Sequence, residues 1–302
     1  MSTAGPPPGA RAAARAGDGA APAGAGWPPV ELPGTQARRV RARAVGADYR
    51  VSVWLPPGPP PPGGFPSVYV LDANALFGTF VEAVRRCSRR PDATGVAATA
   101  VIGIAHDGEA LFADALRRRD YTCGPPALEP PPADGICGGA PAFLAFLADE
   151  LAPALRRELP LDAARQTLFG HSLAGHFVLQ ALAARPGAFR TWAAISPSVW
   201  WDEAGLRARL AAALPGTRQA RVFMAVGQWE GEVPPWQRAH PGAGQLVARR
   251  AQRRMVEAAQ ALAADIGGWI GADRLGFTIF PDEDHASVVM VAAQRVLRLC
   301  AA

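Results

Sequence analysis

The feature that most limits this chain is a rhythm of short, continuous apolar runs separated by longer stretches of helical periodicity. The runs fall at 67–71, 98–104, 167–169, 191–195, 221–226 and 277–280. They lack the alternation of half-exposed strands, so they are expected as strands buried on both faces of a parallel sheet. Two further runs precede them, at 37–45 and at 49–55, the second alternating around Val51, Val53 and Leu55. A Pro/Gly cluster at 56–66 then dictates a surface loop. Between the apolar runs, Phe143, Phe146, Leu147, Leu151 and Leu155 recur at helical spacing, with Pro153 expected to kink that element. Residues 173–184 form a second helical segment stopped by Pro186 and Gly187, and 245–264 and 288–299 give two more. Strands alternating with helices predict an α/β fold, a mostly parallel sheet with helices on both faces. In such sheets, ligands bind beyond the carboxyl ends of the strands.

Composition narrows the possibilities further. The 302 residues are 49% hydrophobic and 19% charged, which excludes a wholly disordered chain. No apolar stretch approaches the ~18 residues of a membrane-spanning helix. All 31 cationic side chains are Arg, and the net charge is +5. These arginines are scattered rather than gathered into a stripe, which argues against nucleic-acid binding while favouring anionic ligands. Residues 1–36, dominated by Ala, Gly and Pro, are expected as a disordered leader before a catalytic domain at 37–302. That leader lacks the apolar core of an export signal, so a cytoplasmic location is expected. Cys87, Cys123, Cys137 and Cys300 form no C-x-x-C pair and are read as ordinary thiols, although Cys123 and Cys137 flank one Pro-rich stretch and could pair in an oxidising compartment. Phosphate-loop, zinc-protease and dinucleotide motifs are absent from the sequence, and no metal or cofactor is expected.

The chemistry concentrates after the run at 167–169, where Gly170-His171-Ser172-Leu173-Ala174-Gly175 leads directly into a helix. A serine on a sharp strand-to-helix turn has strained backbone geometry and needs small neighbours, here Gly170, Ala174 and Gly175. The turn lifts its hydroxyl above the sheet edge, beside helix amides able to bind an oxyanion. A serine needs a base, and the base needs an orienting acid. With this turn the acid and the histidine follow in that order. His285 lies in the polar loop after the last apolar run, where the base belongs. His240, in a Pro-containing loop with no strand before it, is read as a surface residue. Glu230, in Gly227-Gln228-Trp229-Glu230 after the run at 221–226, is the candidate acid, with Glu232 and Asp202 as alternatives. Leu173 would supply one oxyanion amide, and Ala73 or Asn74, following Asp72 after the run at 67–71, the other. Asp72 could equally lead a simple Asx turn.

With these residues in place, the chain from about Tyr49 onward resembles the esterase D-type branch of the α/β-hydrolases, and within it the siderophore esterases acting on enterobactin- or bacillibactin-like trilactones. The resemblance is carried by 69–77 around Asp72-Ala73-Asn74, Arg119-Asp120-Tyr121-Thr122, the turn at Ser172, Ser196-Pro197-Ser198-Val199-Trp200-Trp201, Gln228-Trp229-Glu230 and Asp284-His285-Ala286-Ser287. It implies an α/β-hydrolase fold and a serine esterase that uses Ser172, Glu230 and His285. Its small-molecule substrate would be an ester, by resemblance a ferric catecholate siderophore. The chain departs from the family at Ala73 and Ala174, where glycine is usual. The resemblance also implies that Arg117, Arg118 and Arg119 lie near the cleft. Trp200, Trp201 and Trp229 follow strand ends and are expected to crowd one rim, with at least one of them serving the core. The Pro/Gly-rich segment 124–139 is placed to act as part of a lid. The same fold also serves general carboxylesterases, thioesterases, acyltransferases and catalytically dead binding proteins.

Overall fold

The apolar runs assemble into one eight-stranded sheet. A computed structural model describes residues 27–217, 219–239 and 241–301. Its strands are β1 (Thr35–Ala42), β2 (Ala47–Trp54), β3 (Phe65–Leu71), β4 (Ala100–His106), β5 (Leu161–His171), β6 (Thr191–Ile195), β7 (Arg221–Gly227) and β8 (Leu275–Phe280). Their order across the sheet is β1-β2-β4-β3-β5-β6-β7-β8. The β1/β2 and β2/β4 pairs are antiparallel and every later pair is parallel. The described helices are α1 (Ala73–Cys87), α2 (Pro91–Thr94), α3 (Asp114–Tyr121), α4 (Ala140–Ala145), α5 (Ala152–Glu158), α6 (Leu173–Ala184), α7 (Glu203–Ala213), α8 (Ala243–Arg253), α9 (Met255–Ile270) and α10 (Val288–Leu299). No helix among the described residues is long and apolar enough to cross a membrane.

Alternate side chains of the central strands enter two apolar layers, which is why these strands read as unbroken runs. Val68, Val70 and Phe169 pack with Leu76, Phe80 and Val84 of α1 and Val289 and Val296 of α10. Tyr69, Leu71, Leu168 and Trp192 pack instead with Phe143, Phe146, Phe177, Leu206 and Leu262 on the opposite face. Each large apolar side chain fully buried in these layers contributes roughly 1.5–3 kcal/mol.

The connection from β4 returns past β3 to reach β5, so the strand order reverses between these neighbours. The crevice at such a reversal is where open α/β sheets bind ligands. Local geometry marks the same edge. The residues following β3, β5 and β6 are Asp72, Ser172 and Ser196, and all three are non-glycine residues with positive φ, at 53°, 61° and 45°. Backbone of this kind costs about 1–3 kcal/mol per residue and tends to gather at functional sites.

Several elements differ from expectation. The compact unit begins at Gly34 rather than 37, because β1 already starts at Thr35. Residues 1–26, most of the expected leader, lie outside the described residues. The helix containing Pro153 widens into a π-helical segment at Phe146–Leu151 before α5, one way to accommodate a residue without an N–H. The single helix expected at 245–264 is two, α8 and α9, broken at Arg254 with φ 45°. All four cysteines are free thiols, so Cys123 and Cys137 are not bridged.

Candidate active site

Strand β5 delivers Ser172 at its end, and α6 starts at the next residue. Ser172 has φ 61° and ψ −120°. Its N–H donates to the Ile195 carbonyl at 2.9 Å, and its own carbonyl accepts from His176 N at 3.0 Å and Ser198 N at 3.1 Å, which locks the strained turn to β6. The neighbours show where glycine is indispensable. A Cβ on Gly170 would stand 2.3 Å from the Ala174 carbonyl oxygen, and one on Gly175 would stand 2.9 Å from the Ile195 oxygen. The tight positions are thus 170 and 175, and Ala174 is accommodated between them.

His285 and Glu230 converge on Ser172 from two loops. Nε2 of His285 lies 3.0 Å from Ser172 Oγ, and Nδ1 lies 2.6 Å from Glu230 Oε2. The Glu230 side chain is 2% exposed, whereas that of His285 is 47% exposed. The second Glu230 oxygen, Oε1, accepts from Gly227 N at 2.7 Å and from the Ser196 hydroxyl, so the carboxylate cannot swing. The His285 loop is fixed as well: Trp229 N donates to the Glu283 carbonyl at 2.9 Å, and Asp284 accepts from Ala286 N and Ser287 N at 2.8 and 2.9 Å. A Cβ on Gly227 would meet the Glu283 oxygen at 2.4 Å, so the two loops approach too closely for any side chain there.

The alternative acids are elsewhere. Asp202 caps α7, accepting from Gly205 N at 3.2 Å, and Glu232 is exposed on the surface. His240 lies outside the described residues. His171 and Ser196 were not singled out by the sequence, yet both touch the site. The His171 ring sits 4.7 Å from that of His285, and burial pushes its pKa well below the ordinary histidine value, keeping it neutral beside the base. Its imidazole was hidden in the variable position of the turn motif, and Ser196, although part of a segment that carries the family resemblance, was given no role of its own.

Strands β3 and β5 are hydrogen-bonded neighbours, so α1 and α6 begin side by side, the first at Ala73 and the second at Leu173. Asp72 does not cap α1 through its side chain, contrary to a simple Asx turn. Its buried carboxylate instead accepts from Arg117 Nε at 3.1 Å and from the Tyr121 hydroxyl at 3.1 Å. Burial raises the Asp72 pKa, opposed by Arg117. The Ala73 methyl occupies space opposite Gly103, where an added Cβ would lie 2.7 Å from it. Glycine at 103 thereby makes room for alanine at 73. The Asn74 amide donates to the carbonyls of Gly108 and Ala110 at 3.2 and 2.9 Å, fixing the loop after β4.

The expected substrate-contacting residues separate into two groups. Arg119 is taken up by Asp120, with Nε at 2.6 Å, and by the Tyr49 hydroxyl, and lines neither cavity at Ser172. Arg117 reaches the cleft edge but is held by Asp72. Trp200 and Trp229, by contrast, wall a cavity of about 280 Å³ that also contains Ser172, Glu230 and His285. Arg249, Arg250 and Arg253 of α8 line it too, which the sequence reading missed. A broader cleft of about 760 Å³ meets it at Ser172, Ser198, Trp200 and Arg253. Its far wall is the 124–139 segment through Pro126, Glu129, Pro130 and Asp134. That segment is tied to α8 by Arg253–Glu129 at 2.5 Å and by Gln252 Nε2 donating to the Leu128 carbonyl at 2.8 Å. Trp201 anchors its other end through Nε1 to the Gly124 carbonyl at 2.9 Å.

Comparison with known proteins agrees with this architecture. Residues 42–263 match the sequence model of the Esterase family. The chain is similar to the ferri-bacillibactin esterase BesA of Bacillus subtilis (strain 168), with 35% identity over 277 residues, covering 88% of this chain and 89% of that protein. It is also similar to the siderophore triacetylfusarinine C esterase of Aspergillus fumigatus, with 31% identity over 246 residues, 78% of this chain and 82% of that protein. Among solved structures, the BES protein from Bacillus cereus superposes with a TM-score of 0.76 at 28% identity, covering 91% of this chain and 97% of that one. The fold is that of the α/β-hydrolases.

Proposed function

From the premise that the chain belongs to the Esterase family and is a carboxylic ester hydrolase, we propose that it cleaves the ester bonds of a ferric catecholate siderophore through an acyl-enzyme on Ser172. The observation that carries the reading is the unbroken chain of contacts from Ser172 Oγ to His285 Nε2 at 3.0 Å and from His285 Nδ1 to Glu230 at 2.6 Å. Ser172 Oγ attacks the ester carbonyl as its proton passes to His285 Nε2. Glu230 holds the Nδ1–H and stabilises the imidazolium without taking its proton. The amides of Leu173 and of Ala73 or Asn74 receive the developing oxyanion. The imidazolium then protonates the leaving alcohol, and a water deprotonated by His285 releases the acid and restores Ser172.

The substrate choice is supported by the names of the relatives and by the cationic side chains beside Ser172. A ferric tris-catecholate is anionic, and guanidinium groups suit such a ligand. The test compares kcat/KM on ferric and iron-free trilactones with that on short p-nitrophenyl esters, using Ser172→Ala as control. A preference for the trilactones is expected. Turnover of the short esters alone would reassign the chain as a general carboxylesterase, and product formed on an added acceptor alcohol would mark an acyltransferase.

A further inference from the structure

The two helices that begin side by side at the ends of β3 and β5 each follow a residue whose side chain leaves the helix uncapped. Helix α6 follows Ser172 at φ 61°, and α1 follows Asp72 at φ 53°; neither side chain bonds a helix amide. The Ser172 hydroxyl is drawn off to His285. For Asp72 the departure is less expected, because aspartate is among the residues most favoured for capping a helix N-terminus. Asp202 does so at the start of α7, accepting from Gly205 N at 3.2 Å. The Asp72 carboxylate is held elsewhere. Arg117 Nε lies 3.1 Å from each of its oxygens, and the Tyr121 hydroxyl donates to one of them at 3.1 Å. Both anchors stand on α3 and are themselves fixed. Arg117 is largely buried with the Phe112 ring 5.1 Å from its guanidinium carbon, and Tyr121 packs on Phe143 and Phe177.

The first amides of α1 are left open as a result. Ala75 N donates to the Asp72 carbonyl at 3.0 Å, but the amides of Ala73 and Asn74 have no acceptor among the described residues. The short polar side chain of Asn74 is withheld from them too, since its amide is spent on the Gly108 and Ala110 carbonyls. A carboxylate swung back onto this turn would satisfy the helix end and relieve the left-handed backbone of a non-glycine residue. It would also put negative charge where an oxyanion has to form. Arg117 and Tyr121 oppose that relaxation. We infer that the Arg117–Asp72–Tyr121 cluster is a positioning device that keeps the Asp72 carboxylate off the first turn of α1 and so holds an oxyanion-binding amide open. Arg117, at the edge of the cleft, thereby acts on the reaction through Asp72 rather than by touching the substrate.

The inference rests on the proposed function in taking the α1 amides as oxyanion donors, and not in the choice of substrate. Its test uses p-nitrophenyl acetate, a neutral ester that offers Arg117 no charge to bind. In Arg117→Gln, kcat is expected to fall on the order of a hundredfold, the loss typical of one oxyanion donor, with KM changed less than about twofold. Affinity for a short trifluoromethyl ketone, which forms a tetrahedral oxyanion on Ser172, should fall in parallel. Arg117→Lys, which keeps the charge, should recover most of both. The decisive protein combines Arg117→Gln with Asp72→Gly. Glycine accepts the left-handed backbone and carries no carboxylate to block the amides, so kcat should rise roughly tenfold above that of Arg117→Gln alone. A purely structural ion pair predicts no such recovery. Should Arg117→Gln fail to fold, Tyr121→Phe supplies the reading, with a loss of about threefold in kcat that vanishes in the Asp72→Gly background. An unchanged kcat, a loss confined to KM, or a loss that Asp72→Gly does not repair overturns the inference. Turnover undiminished in Ser172→Ala would overturn the acyl-enzyme and the oxyanion role of α1 with it. The expected recovery in a protein that cleaves no trilactone would uphold the inference and overturn the siderophore reading instead.

Discussion

Among the described residues are two histidine–carboxylate pairs built to nearly the same dimensions. Near the end of β7, His285 Nδ1 lies 2.6 Å from Glu230, and at the end of β4, His106 Nε2 lies 2.9 Å from Asp120. In both, the acid side chain is essentially buried, at 2% and 0% exposure. They part company at the third partner. His285 turns its other nitrogen to the Ser172 hydroxyl in an open cavity. The His106 side chain is 4% exposed and packed between Tyr49 and Tyr121. Asp120 also accepts from the Tyr49 hydroxyl at 2.6 Å and from Arg119 at 2.6 and 3.0 Å, so its charge is answered several times over. Burial works to raise the Asp120 pKa, but the His106, Arg119 and Tyr49 hydrogen bonds prevail and hold it below the ordinary value. A histidine–acid pair is therefore a fastening until an open site and a hydroxyl stand beside it.

Exchanging the acids for amides breaks the comparison most sharply. Glu230→Gln keeps the shape but loses the carboxylate that fixes the tautomer, and a fall in kcat on the order of 10⁴ is expected with little change in melting temperature. Asp120→Asn should do the reverse. It leaves Arg119 without its buried counter-charge and His106 without its carboxylate partner, at a cost of about 3–5 kcal/mol, read as a drop in melting temperature of roughly 10 °C, with kcat changed far less than in Glu230→Gln. If the two variants affect activity equally, the division between fastening and machinery fails.

The next effect concerns buried imidazoles as a class. His176 on α6 is fully buried, and that burial pushes its pKa down to about 4. In the unfolded chain a histidine takes up its proton near ~6.5. The unfolded state thus binds protons first as pH falls, and stability should decline by about 3 kcal/mol between ~6.5 and 4. Denaturant melts of the wild type and of His176→Gln across this range check it, the variant giving the flatter profile. The smallest effect is expected from Ser196→Ala, which removes one of two hydrogen bonds to Glu230 Oε1 and leaves that from Gly227. A loss of about 1 kcal/mol in orientation corresponds to roughly fivefold in kcat, without the collapse seen in Glu230→Gln.

Much of this was legible in the sequence, because the strongest determinants are local. The bounds of β6, α6 and α10 coincide with the runs at 191–195, 173–184 and 288–299, where unbroken apolar character or a Pro-Gly stop leaves little freedom. The chain order of turn serine, loop acid and loop histidine matches the way Ser172, Glu230 and His285 meet in space. What stayed hidden depended on partners distant in the chain. The contiguous run Arg117-Arg118-Arg119 drew attention, yet Asp72, Asp134 and Asp120 hold all three of its guanidiniums. Arg249, Arg250 and Arg253 lie within the helix expected at 245–264, where nothing in the sequence singled them out. They reach the cavity because the chain breaks at Arg254, a left-handed arginine that no glycine, proline or asparagine announces.

The central claim is that the Ser172 hydroxyl is made reactive by His285. Peptide mapping by mass spectrometry after treatment with a neutral fluorophosphonate addresses this directly. One adduct on Ser172 is expected, forming at least a thousandfold more slowly in His285→Ala. An adduct on another residue, or labelling of Ser172 at an undiminished rate without the imidazole, would contradict it.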